Sequence, residues 1–528
     1  MREFAWEFPY PSQRMPVLAR NVVATSQPLA AQAGLRMLLR GGNAVDAALA
    51  AAIALTVVEP TSNGIGGDAF AIVWEGDRLH GLNASGRSPM ALTRQRFRGM
   101  QTMPALGWDT VTVPGAVSAW VALWRRFGRL PFDDLFEPAI TYAADGFLVS
   151  PVTAKAWAQA AETYRDFPEF GRAFLPGGRA PQAGERFAFP EQARTLQRIA
   201  ETEGEAFYRG EIADKIVAHA QATGGLFTLE DLAAHEPEWV ETISADYRGL
   251  SVHELPPNGQ GVAALMALGI LEHWGLGEYP ADFAESLHVQ IEAMKLALAD
   301  ARRYVADPRA MRVGVRQLLD RGYLAERAKL IDIKRAQDFG PGMPPGGGTV
   351  YLAAADGEGM MVSYIQSNFK GFGSGIVVPG TGISLQNRGY GFTLERGHPN
   401  EVAGGKRPYH TTIPGFVMYE GAPLMAFGVM GGAMQPQGHV QVLVRLADYG
   451  QNPQAIADAP RWQVVQGVEV ALEDRFEPAV AEALQARGHQ VRVMPAGVYF
   501  GGAQLVYRLK DGYLAASEPR KDGQAVGY

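Results

Sequence analysis

Thr349 follows Pro344, Pro345, Gly346, Gly347 and Gly348 and heads the extended run TVYLAAAD. A threonine hydroxyl is a weak acid and attacks a carbonyl only with a base at hand. A free α-amine on the same residue is such a base, because its ordinary pKa of about 8 leaves it able to accept a proton near neutrality. Inside a protein a threonine gains that amine only when the peptide bond before it is cut. Glycine at 348 permits the strained backbone a hydroxyl needs to reach the preceding carbonyl. The strand pattern after it would hold Thr349 rigidly. The same residues also read as an ordinary linker meeting a strand, and composition alone leaves both readings open.

Other chemistries find little support. With no cysteine, thiolate nucleophiles, disulfides and cysteine metal sites are excluded. The ten histidines are scattered and none stands in HxxxH or HExxH spacing, so neither a metal nor a cofactor is expected. His288, on an amphipathic pattern, reads as structural. No serine sits in G-x-S-x-G and no Walker loop occurs. The glycine loop of Gly64, Gly66 and Gly67 comes in the order helix, loop, strand, whereas a dinucleotide cradle needs strand, loop, helix.

The elements that must position Thr349 follow from patterning. Gly41–Pro60 predicts a helix capped by Asn43, stopped by Pro60 and apolar nearly all round, hence buried. A strand is expected at about Ala69–Trp74. From Pro114 to about Ala336 the pattern is mainly helical, with helices in Gly115–Gly128, Asn258–Gly275 and Glu285–Pro308; the last places Lys295, Arg302 and Arg303 on a solvated face. After Gly348 the chain turns to short β-rich runs divided by glycines. These are TVYLAAAD, MMVSYIQSN, GIVVPGTGISLQN, TTIPGFVMY and PLMAFGVMG. Helical signals return in Gly438–Gly450 and Pro478–Gly488, and QVRVMP and AQLVYRLKDGYLAAS close the chain as strands. Helices and strands fall in blocks, which favours an α+β fold. The expected linker runs from Glu326 to Gly348, and nothing in Pro341–Gly348 can be helix interior.

The 528 residues are 47% hydrophobic and 20% charged, with a mild net charge of −7 spread along the chain. That suits a globular protein and argues against a nucleic-acid surface, which needs a clustered basic stripe. The first residues lack a continuous apolar segment of the secretory kind, and the apolar run Ala47–Val58 is too short to cross a bilayer. A cytoplasmic protein with no membrane partner is expected.

Eight stretches, taken in order, resemble the gamma-glutamyltranspeptidase family, also called glutathione hydrolases, which are threonine N-terminal nucleophile hydrolases. Those before residue 349 are GGNAVDAALAAAIALTVVEPTSNGIGGDAF, VTVPGAVSAWVALWRRFGRLPFDDLFEPAI, LPPNGQGVAALMALGILE and LHVQIEAMKLALADARRYVADP. Those after it are TVYLAAADGEG, FGSGIVVPGTGISLQN, KRPYHTTIPGFV and VMGGAMQPQGHVQV. The resemblance implies a four-layer αββα sandwich made as one precursor that cleaves itself between Gly348 and Thr349. Residues 1–348 would form a large subunit and 349–528 a small one, intertwined as a heterodimer, with a dimer of heterodimers left open. It implies hydrolysis of gamma-glutamyl compounds such as glutathione, or transfer from them, through an acyl group on Thr349. It puts the backbone N–H groups of Gly431 and Gly432 at the oxyanion, Ser367 beside the nucleophile and Asn387 along the substrate.

The chain departs from the family where substrate is read. Register puts Ser85 where an arginine is expected, with Arg87 two residues on. Gly391 replaces an acidic residue that grips an α-ammonium, Arg388 replaces a glutamine, His410 and Thr411 replace paired serines, and Phe369 replaces an asparagine. An ammonium left without its carboxylate loses on the order of 2–5 kcal/mol, unless Asp68 or another acid substitutes. Arg87, Arg388 and His410 would instead suit a small anionic amide, oxamate-like or glutaryl-type, although either arginine could be a structural ion pair. A reading of another class is an uncleaved, catalytically silent binding or scaffold protein.

Overall fold

The computed structural model describes residues 4, 5, 7–12, 14–340 and 348–528. The expected linker residues Pro341–Gly347, and the backbone entering Gly348, lie outside them.

The helix Ala44–Val58 begins where the sequence places it. Asn43 caps it, accepting from Val45 N and Asp46 N at 3.0 Å each, and Asp46 returns an acceptor to Asn43 N at 2.9 Å. All fifteen of its residues are buried. Its first amide, Ala44 N, donates to Asp356 Oδ2 at 2.8 Å. This ties the helix start to the end of the strand that Thr349 begins.

That strand, Gly348–Ala355, lies inside a seven-stranded sheet. The order runs Gln524–Gly527, Val22–Thr25, Gly348–Ala355, Met361–Phe369, Asp68–Glu75, Arg78–Asn83 and Glu238–Val240. A second seven-stranded sheet is ordered Val17–Ala19, Tyr513–Ser517, Gly502–Arg508, Ala422–Met430, Gly415–Tyr419, Leu250–Glu254 and Ile243–Tyr247. The sheets face each other across a core that includes Phe70, Ile72, Tyr351, Ile365, Phe416 and Val506. Ala44–Val58 covers the outer face of the first sheet, and Gly261–Leu271 with Met434–Ala447 covers that of the second. The result is the four-layer αββα arrangement, with helix, sheet, sheet and helix each burying an apolar face.

The stretch Pro114–Ala336 is mainly helical, as expected, with short strands among its helices. Glu238–Val240 is an edge strand of the first sheet, and Ile243–Tyr247 and Leu250–Glu254 form an edge hairpin of the second. These runs are only three to five residues long, and the first two are largely uncovered, so they carry little apolar signal. One expectation needs correction: Lys295 is not on a solvated face; it is 4% exposed in the helix Ala284–Tyr304, where Arg302 and Arg303 do face solvent. Its Nζ donates to Glu292 Oε1 at 2.7 Å, to Gln337 O at 3.2 Å and to His489 Nδ1 at 3.3 Å. His489 Nε2 then donates to His288 Nδ1 at 2.8 Å, and His288 Nε2 to Asp332 O at 2.9 Å. Each ring has one nitrogen left to accept, so this chain of donors assigns both tautomers and holds both imidazoles neutral.

Candidate active site

Thr349 sits at a β-bulge. Gly348 pairs with Phe369 and Val350 with Gln366, so Ser367 and Asn368 both stand opposite Thr349. Such a bulge turns a side chain out of strict alternation. It brings Thr349 Oγ1 to 3.1 Å from Ser367 Oγ. Ser367 Oγ also accepts the Phe369 amide at 2.8 Å, and Phe369 has a φ of +79°, uncommon for a non-glycine residue. Two strands hold the register: Thr25 Oγ1 donates to Tyr351 O at 3.2 Å on one side, and Ser367 pairs with Asp68 on the other.

Gly431 and Gly432 follow the strand Ala422–Met430 and precede the helix Met434–Ala447. Their φ values of +132° and +62° favour glycine, and among the described residues neither amide N–H has an acceptor. Gln260 Nε2 joins this turn to the neighbouring loop, donating to Gly432 O at 2.9 Å and to Thr411 O at 2.7 Å.

Asp68 is fully buried, with Oδ1 accepting from Gly86 N at 3.2 Å, Gly115 N at 3.1 Å and Gln386 Nε2 at 2.9 Å. Glycine is required at 86 and 115, since a Cβ there would stand 1.7 Å from Val113 O or 1.5 Å from Ala84 O. Asp68 Oδ2 accepts from His410 Nε2 at 3.1 Å, while His410 Nδ1 accepts from Thr412 N at 3.1 Å. Burial raises the Asp68 carboxyl to about 6, against the opposing pull of Arg388. Burial, with Arg388 and Arg407 nearby, pushes His410 well below the usual imidazole range. His410 is therefore neutral with both nitrogens bonded, which corrects its expected role as a partner for an anion.

Arg388, also fully buried, lays its guanidinium carbon 4.2 Å from the centre of the Phe369 ring. Its Nη1 donates to Thr411 Oγ1 at 2.8 Å and its Nη2 to Thr412 Oγ1 at 3.2 Å; its Nε has no acceptor. Asn387 lies beside them with its amide already bonded, accepting from Lys370 N at 3.1 Å and donating to Ala105 O at 2.8 Å. Arg87 does not join this group. It is held by Asp307 at 2.8 Å and Glu238 at 3.3 Å, so of the two arginines it is the one in an ion pair, and the expectation that it reads substrate is corrected. Sequence reading passed over Gln386, Gln260 and Arg407, whose Nε donates to Ser85 O at 2.8 Å. Each is a single polar residue in a loop whose partners lie far away in the chain, so no local signal marks it.

A cleft of about 720 Å³ opens beside these residues; Lys370, next to Phe369, and Met430, next to Gly431, line it with Ser26, Glu59, Tyr164 and Lys521. The one group of three residues among those described that could ligate an ion is His288, Glu292 and His489, with ligand atoms within 4.8 Å of one another. The Lys295 ammonium already stands among them.

The sequence model described as Gamma-glutamyltranspeptidase matches residues 30–528. The glutathione hydrolase-like YwrD proenzyme of Bacillus subtilis is 37% identical over 522 residues, covering 96% of this chain and 98% of that protein. The oxamate amidohydrolase proenzyme of Klebsiella pneumoniae is 36% identical over 527 residues, covering 97% and 99%. A crystal structure of cephalosporin acylase from Bacillus halodurans superposes with a TM-score of 0.94 at 50% identity, over 99% of both chains.

Proposed function

Because the chain belongs to the gamma-glutamyltranspeptidase family and is a self-cleaving amidohydrolase, we propose that Thr349 is both the residue at which it cuts itself and its nucleophile. The observation that carries this is the 3.1 Å contact between Thr349 Oγ1 and Ser367 Oγ at a bulge that aims the hydroxyl off the strand. In self-cleavage Thr349 Oγ1 adds to the Gly348 carbonyl, the C–N bond breaks, and the acyl group moves to oxygen as an ester. Water hydrolyses that ester, leaving a carboxylate on Gly348 and a free α-amine on Thr349. Residues 1–348 and 349–528 are the two products, which stay together as a heterodimer.

In turnover the hydroxyl adds to a substrate amide carbonyl and its own amine takes the proton. The Gly431 and Gly432 N–H groups, unengaged among the described residues, receive the oxyanion. The protonated amine then gives its proton to the leaving nitrogen, and water or an amine releases the acyl group. The cleft beside Lys370 and Met430 suits the leaving group and the acceptor that replaces it. Gamma-glutamyl compounds such as glutathione are the donor class suggested by the family and by the name of the Bacillus subtilis relative, and gamma-glutamyl anilide hydrolysis is the assay to begin with.

Thr349→Ala tests the reading. The wild-type protein is expected as two bands divided near residue 348, with amide hydrolysis; the variant is expected as one full-length band without turnover. A variant that still divides and still hydrolyses would falsify the assignment.

A further inference from the structure

Among the described residues around the nucleophile, Arg388 is the charged group whose hydrogen bonding is incomplete. Its guanidinium is sealed from solvent, yet its two bonded nitrogens meet only neutral hydroxyls, those of Thr411 and Thr412. Its Nε–H has no acceptor. A buried donor without a partner is destabilising, and such orphans gather where a ligand completes the bonding. Asp68 balances part of the charge through space, but its oxygens already accept from Gly86, Gly115, Gln386 and His410. Burial lowers the guanidinium to about 9, so it keeps its charge at neutral pH.

Position links this cation to the chemistry. Arg388 stacks on Phe369, the Phe369 amide is held by Ser367 Oγ, and Ser367 Oγ contacts Thr349 Oγ1. The strained φ of Phe369 lies at the same place. Thr349 and Arg388 are both 0% exposed in the intact chain, so the nucleophile and the cation are closed off together before the cut.

Among the described residues no carboxylate hydrogen-bonds Arg388, and the carboxylate of Asp68 already accepts from four donors. A side chain at Gly391 is shut out as well, since a Cβ there would stand 2.5 Å from Tyr409 O.

Building on Thr349 as nucleophile, we propose that Arg388 holds a carboxylate on the acyl half of the substrate, so that the preferred donors are monoamides of short dicarboxylic acids with no ammonium on the acyl group. Thr349 Oγ1 displaces the amine from such a donor, its α-amine carrying the proton to the leaving nitrogen. Water then cleaves the ester and releases the free dicarboxylate.

Three p-nitroanilides with the same five-carbon acyl skeleton test this on the self-cleaved protein: glutaryl, γ-glutamyl and valeryl. Glutaryl is expected to exceed valeryl in kcat/KM by about 30-fold or more, the effect of one charged hydrogen-bonded partner, and to exceed γ-glutamyl. Arg388→Gln should bring the ratio of glutaryl to valeryl kcat/KM down to near one, and a ratio that stays at the wild-type value would overturn the inference. Free glutarate should compete with donor in the wild-type protein, a readout that holds even where the variant fails to mature. Equal glutaryl and valeryl rates, faster γ-glutamyl turnover, an equal loss of all three in the variant, or no competition by glutarate would each overturn the inference while leaving Thr349 as the nucleophile. A full-length protein inert toward all three would overturn both.

Discussion

At the scale of single residues, the site joins groups that must react to groups that must not move. Ser367 belongs to both sets, because its Oγ accepts the Phe369 amide and contacts the Thr349 hydroxyl. Ser367→Ala is expected to slow self-cleavage about 10- to 100-fold, the range of one positioned hydrogen bond of about 1.5–3 kcal/mol; the time course of band splitting on a gel measures it. Asp68 is different, since its carboxylate accepts from four donors of the protein itself. In Asp68→Asn the amide nitrogen cannot accept, so at least one of the four buried donors loses its partner at a cost of about 1–3 kcal/mol. A lower midpoint of urea unfolding is the expected result, and an unchanged midpoint would show that the four contacts carry no net stability.

Among the elements, the helix Ala284–Tyr304 does more than pack against Gly261–Leu271. Through Lys295, His489 and His288 it grips the backbone at Asp332 and Gln337, the segment leading toward residue 341. Glu292 completes the grip by accepting Gln337 N at 3.1 Å. Burial lowers both imidazoles, His489 to about 2. A histidine whose folded pKa is depressed stays neutral in the folded chain while the unfolded chain takes up a proton below about 6.5. Its contribution to stability is therefore lost as pH falls below that value, with a limiting slope of about 1.4 kcal/mol per pH unit for each histidine. His489→Gln, which can still donate and accept but does not titrate, should make stability fall less steeply between pH 7 and 5. Urea midpoints of the two proteins across that range decide the matter, and parallel pH curves would exclude His489 as a source of the slope.

For the molecule as a whole, the proposed cut between Gly348 and Thr349 falls inside a sheet without dividing it. Residues after 348 supply all but the first residue of the strand Gly348–Ala355, and the whole of Met361–Phe369; both lie between Val22–Thr25 and Asp68–Glu75. In the second sheet, Gly415–Tyr419 pairs with Leu250–Glu254. Each fragment would leave open sheet edges and uncovered apolar faces if it stood alone. The cleaved protein is accordingly expected to elute from gel filtration as one species containing both fragments and to separate only in denaturant. Two fragments separating in native buffer would contradict this interleaving.

By itself the sequence determined the helix Ala44–Val58, through its cap and its all-apolar composition, and the strands after Gly348, through short β-rich runs between glycines. Nucleophile chemistry singled out Thr349 as a candidate, whereas Ser367 and the Gly431–Gly432 turn were marked only by the resemblance to the gamma-glutamyltranspeptidase family. Only the tertiary structure decided the fate of the charges. Lys295 reads as a solvated face until His489, 194 residues away, is placed against it. Arg87 and Arg388 look equivalent until Asp307 and Glu238 neutralise the first and Thr411 and Thr412 leave the second without a carboxylate. A charge is classified by what surrounds it, and those surroundings come from distant parts of the chain that only folding brings together.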